Sequence, residues 1–153
     1  MTRYAENTTV SVQKTRAEIE TILTKYGATA FMSGSNASEA MVAFECANRR
    51  VVFRLPMPDI KDFERTPSRR QMRGDTEQHR AWEQSCRSRW RALYLCIKAK
   101  LEAVAINITT FENEFMAHIV MPDGLTVAQH VSPKIAQAYK SGDMPPLLLG
   151  HGG

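Results

Sequence analysis

Few of the features by which a chain discloses its chemistry are present in these 153 residues. Cysteine is scarce: Cys46, Cys86 and Cys96 are odd in number and widely spaced, which excludes a disulfide framework and fits reduced thiols in a core. No C-x-x-C or H-E-x-x-H occurs, and His79, His118, His130 and His151 have no metal-ligand spacing with the cysteines, so no metal is expected. The glycines are isolated and form no phosphate loop. There is no run of about 18 apolar residues, and "MTRYAENTTVSVQ" lacks the apolar core of a secretory signal. Neither membrane insertion nor export is therefore expected, and the chain is placed in the cytoplasm. Candidate nucleophiles lack a base: Cys86 and Cys96 read as small core residues. Glu114 and His118, one helical turn apart, suit a surface pair better than acid–base work. With no cluster of acids that a polar pocket could perturb, the expectation is a binding protein with no cofactor, not an enzyme.

What is present is an ordinary globular composition, 43% hydrophobic and 24% charged, in a chain of the size of one domain spanning 1–153. The net charge of +4 is unevenly spread. Between Arg65 and Arg91 there are eight arginines (65, 69, 70, 73, 80, 87, 89, 91) against Asp75, Glu77 and Glu83, about +5 locally, leaving about −1 elsewhere.

The periodicities predict an α+β fold. Residues 8–56 carry a helix and an antiparallel sheet. "TTVSVQ" (8–13) alternates like a short edge strand, and a helix over 15–26 follows, opened by a capping box of Thr15 and Glu18 and closed by Gly27. Strands are expected at 28–33, 39–46 and 50–55, with Val42, Phe44 and Cys46, and Val51, Phe53 and Leu55, on one buried side. Met41, Ala43, Glu45, Val52 and Arg54 fall on the opposite, open face. Residues 57–75 read as an extended basic loop, rich in proline and charge. From Thr76 a long helical pattern runs to Ile119, with a break near Thr109–Thr110. "PDG" turns the chain, Thr126 opens a short turn or helix, Pro133 starts a last helix that Gly142 closes, and 143–153 form an extended tail. The helical part, 76–142, is expected to pack long helices on one sheet face.

On a helical wheel Arg80, Arg87, Arg91 and Lys98 lie within about 40° of one another, and Arg69, Arg70 and Arg73 feed in from the loop. Guanidinium groups match phosphate oxygens, so this stripe is a candidate site for nucleic acid, DNA favoured, or for a phosphorylated small molecule. Trp82 and Tyr94 are candidate stacking surfaces. Two plainer accounts stand beside this: a charged outer face that only meets water, and Trp90 as core with Trp82 covering its edge. "LYLCI" (93–97) is apolar all round and needs cover on several sides, from this chain or from a second copy in a homodimer.

Two resemblances bear on function. The order helix, three antiparallel strands, basic-ended helix is similar to a double-stranded-RNA-binding domain, with "SRRQMRG" and Arg80 in the place of its phosphate-gripping lysines. "GSNAS" lacks that family's Gly-Pro-x-His element. "TRAEIETILTKYGA", "RSRWRALYLCIKAKLEAV", "FMAHIVMPDG" and "MPPLLLG" together resemble a group of small tailed-bacteriophage and prophage proteins. That resemblance implies a viral protein in the host bacterial cytoplasm, acting in DNA metabolism or binding a host-defence component, whether a host protein or a nucleotide signal. It supplies no catalytic residues.

Overall fold

The computed structural model describes residues 3–68 and 71–148. The chain runs α1 (Val12–Lys25), β1 (Ala30–Ser35), β2 (Glu39–Cys46), β3 (Arg49–Pro56), a 3₁₀ turn (Ile60–Phe63), α2 (Asp75–Ala105), α3 (Phe111–Phe115) and α4 (Val127–Ser141). This is the α+β class that the periodicities predict.

α1 begins earlier than expected. Ser11 is its N-cap, accepting from the Lys14 amide, so Val12 and Gln13 are helical and the edge strand over 8–13 does not form. A strand there would need a partner edge. The outer edge of β1 is instead occupied by Arg16 of α1, whose guanidinium donates to the Ser33 hydroxyl (2.8 and 3.0 Å) and carbonyl (3.2 Å). Thr15 is not a cap; it is buried in the second turn. Gly27, at φ 99°, ends the helix with Schellman bonds from Ala28 to Leu23 and from Gly27 to Thr24.

The sheet is antiparallel in the order β1-β2-β3, with Phe31 opposite Phe44 and Val42 opposite Phe53. The Asn36 side-chain oxygen accepts from the Ser38 and Glu39 amides (both 2.9 Å) and closes the first hairpin. In the second, Ala47 and Asn48 both have positive φ (50° and 58°), the two-residue turn that matches strand twist. The inward rows, Ala40, Val42, Phe44 and Cys46 of β2 and Val51 and Phe53 of β3, are buried. They join Ile19 and Leu23 of α1, Trp90, Leu93, Ile97 and Leu101 of α2, and Phe115 in one cluster. α1 and α2 lie side by side on this face. Phe44 and Phe53 meet the Phe115 ring edge-on at 5.8 and 6.2 Å. The other face is open at Glu45 and Arg54, half-covered at Met41 and Ala43, and closed over Val52.

α2 stops at Ala105, where Asn107 takes a left-handed conformation (φ 63°). Thr110 then caps α3, so the expected break near Thr109–Thr110 is present. The free edge of β3 receives the next segment: the Val120 amide donates to the Arg50 carbonyl at 2.8 Å. Pro133 does not start a helix. α4 is continuous through it, opened by a capping box of Thr126 and Gln129 and closed by Gly142 (φ 78°). Capping at both ends sustains a helix that proline alone would interrupt.

Candidate functional site

The loop before α2 is more ordered than its composition implies. The Pro56, Pro58 and Ile60 carbonyls, every second residue, accept from Arg89 (2.8 Å), Trp82 Nε1 (2.9 Å) and Gln78 (3.0 Å). These donors share one side of α2, so the extended segment is fastened along it. Residues 64–66 and 71–73 then pair: Arg73 N donates to the Glu64 carbonyl, and Thr66 N to that of Gln71. The Arg73 guanidinium closes this pairing on the Phe63 (3.2 Å) and Arg65 (2.9 Å) carbonyls. Arg73 is thus a staple of the loop, and its expected role as an outward phosphate contact is corrected. Arg69 and Arg70 lie outside the described residues. Asp75 and Glu77 occupy the first turn of α2, so they already complement the dipole that was expected to favour an external anion there.

The stripe of Arg80, Arg87, Arg91 and Lys98 shares one side of α2, as the wheel requires, but that side borders α1 and the N-terminal segment rather than open solvent along its length. Gln84, between the first two, donates to the Glu6 (3.1 Å) and Thr8 (2.8 Å) carbonyls. Arg87 donates to the Gln84 side-chain oxygen (2.6 and 3.1 Å). Arg91 is ion-paired with Glu18 of α1 and lies 4.2 Å over the Tyr94 ring. Arg80 and Lys98, at the two ends, are exposed. They are 18 positions apart, about 27 Å along the axis.

The stacking expectation for Tyr94 is corrected. Tyr94 is buried against the core cluster, with cations over its ring. Trp82 is half-buried, lies about 200° round the helix from Arg80 and spends its indole N–H on Pro58, so it stands apart from the arginine stripe. Trp90 is core, 1% exposed. Cys86 is buried and burial pushes its thiol up, whereas Cys96 is exposed, correcting its reading as a core residue. "LYLCI" buries Leu93, Tyr94 and Ile97 within this chain.

No protein-family model, curated protein or solved structure matches this chain. What the site does must come from its own geometry.

The other polar constellations are small. Glu114 pairs with Lys100 (3.2 Å), not with His118, which stacks on the Phe53 ring at 4.0 Å. Burial, and then the Lys100 charge, hold the His118 imidazole below its usual range. Asp123 is lowered first by the Leu125 amide and then by His130, 2.8 Å away. The described residues contain no group of three or more metal-donor side chains. A cavity of about 670 Å³ beside the β2–β3 turn is shallow, and Arg49 and Arg50 on its wall pair with Glu112 and Glu45.

Sequence reasoning missed the Arg16–Ser33 clamp, the Gln84 anchor and the row of donors at 78, 82 and 89. Each joins residues that are far apart in sequence and have no local pattern. Only the helical spacing of 78, 82 and 89 was visible in advance.

Proposed function

We propose that this protein binds nucleic acid, through Arg69 and Arg70 of the basic segment before α2 and Arg80, Arg87 and Lys98 of α2. The supporting observation is electrostatic. Among the described arginines from 65 to 91, only Arg91 is ion-paired with a carboxylate. Within the stripe, Arg87 is held by the Gln84 carboxamide oxygen, which orients its guanidinium without cancelling its charge, and Arg80 and Lys98 are exposed. Positive groups without carboxylate partners attract a polyanion and release its counterions, with little readout of base identity. The reading is binding rather than turnover.

The test is a mobility shift at low salt with single-stranded DNA, duplex DNA and duplex RNA. If about five cations meet duplex phosphates, log affinity falls against log salt with a slope of about −4.5. No shift with any of the three at micromolar protein removes the reading.

A second reading rests on the open sheet face. Met32, Met41 and Ala43 stand between the cross-strand pairs Glu39–Arg54 (3.2 Å) and Glu45–Arg50 (3.7 Å), an apolar centre with a charged rim of the kind that docks a host protein. A nucleotide signal would instead need a closed pocket. Calorimetry separates the readings: saturable, stoichiometric uptake of a nucleotide with little salt dependence would displace nucleic acid.

A further inference from the structure

α4 is an amphipathic helix with no buried residue. Ile135 is 46% and Tyr139 90% exposed, and the following tail adds Met144 at 79% with Leu147 and Leu148 also exposed. Lys134 Nζ donates to the Leu148 carbonyl at 3.2 Å, which turns the tail back along the helix. A hollow of about 430 Å³ lies between them, lined by Ile135, Ala138, Tyr139, Met144 and Leu147. A helix capped at both ends is well specified; its first turn packs through Val127 on the core, yet Ile135, Ala138 and Tyr139 face a hollow shared with this short tail.

We infer that the α4–tail surface is a twofold interface between two copies of this chain, in which each Tyr139 ring enters the hollow beside the other copy's α4. Three observations select a second copy as the occupant. A protruding aromatic and an apolar hollow stand side by side on one element, the self-complementarity that a twofold contact requires. The area is also suitable: with a large aromatic side chain worth about 150–250 Å², the exposed groups amount to on the order of 600 Å² per copy. That is the upper end of what a monomer leaves uncovered, and a pair would bury roughly 1,200 Å², the lower bound for a specific interface. The rim is also balanced, since Lys140 and Asp143, one of each sign, are both exposed. Two copies therefore meet here without the repulsion that two arginine-rich segments would cause. The inference is independent of what the basic segment binds.

The test is sedimentation equilibrium of the full chain over a wide concentration range. Reversible dimerisation in the micromolar range is expected, as suits an interface of this size. Tyr139→Asp is expected to weaken it by at least about thirtyfold, the effect of losing a central aromatic anchor. Tyr139 is exposed, so the variant's circular dichroism and melting temperature should match the parent's. Leu147→Asp provides the same readout should that variant misfold. In a Cys96→Ser background, Ala138→Cys should form a disulfide between copies under mild oxidation. A chain that stays monomeric at the highest concentration overturns the inference. So does a folded Tyr139→Asp or Leu147→Asp variant that dimerises as tightly as the parent.

Discussion

Thr15 is fully buried in α1, and its hydroxyl makes no hydrogen bond. An orphaned polar group in a core costs its desolvation, whereas a methyl of the same shape does not. Thr15→Val is therefore expected to stabilise the protein by about 1 kcal/mol in urea unfolding. A loss of stability would show that the hydroxyl bonds back to the Ser11 carbonyl. His118 is half-buried on the Phe53 ring. Its imidazole is held below the ordinary value by burial and by Lys100, with the Val52 carbonyl opposing. The unfolded imidazole titrates near pH 6.5, so between its folded value and about 6.5 the unfolded chain binds more protons. Its contribution is thus fully present above about pH 6.5 and is lost as the pH falls from there. His118→Phe keeps a ring on Phe53 and removes the titration. The expected result is a smaller drop in melting temperature between about pH 7 and about pH 5 than the parent shows.

At the scale of elements, α2 and α4 are built on opposite principles. α2 is held by its surroundings: the core cluster on one side, α1 on the next, and the fastened 56–60 segment behind. α4 is held by its two caps and by its first turn, where Val127 packs on the core and His130 pairs with Asp123. Pro133, in its interior, leaves the Gln129 carbonyl without its helical donor. Pro133→Ala restores that bond, and interior proline costs a helix up to about 3 kcal/mol. Amide hydrogen exchange through 127–141 should slow in this variant while exchange in α2 stays unchanged. Equal slowing in both would mean that α4 opens only with the whole fold.

At the scale of the molecule, the arginine-rich segment divides into groups that build the fold and groups that face outward. Arg80→Ala and Lys98→Ala are each expected to weaken duplex binding and to take about 0.9 off the salt slope, as fluorescence anisotropy at several salt concentrations would measure. Arg91→Ala acts differently, because it leaves Glu18 unpaired at the half-covered α1–α2 seam. It should lower stability by about 1 kcal/mol and leave the salt slope nearly as it was. A full loss of slope in Arg91→Ala with unchanged stability would reverse this division.

Period and capping carried the elements. Ile19, Ile22 and Leu23 marked α1, alternation in "EAMVAFEC" marked β2 with its inner face, and Gly27 and Gly142 marked two helix ends, because these depend on neighbours within a few residues. The clustering of eight arginines between 65 and 91 was equally plain. The tertiary structure alone decided what each arginine meets. Arg73 on the loop carbonyls, Arg91 on Glu18 and Tyr94 under its guanidinium are contacts made when distant segments are packed together. A helical wheel fixes the direction in which a side chain leaves its helix; what stands in that direction is set by the rest of the chain.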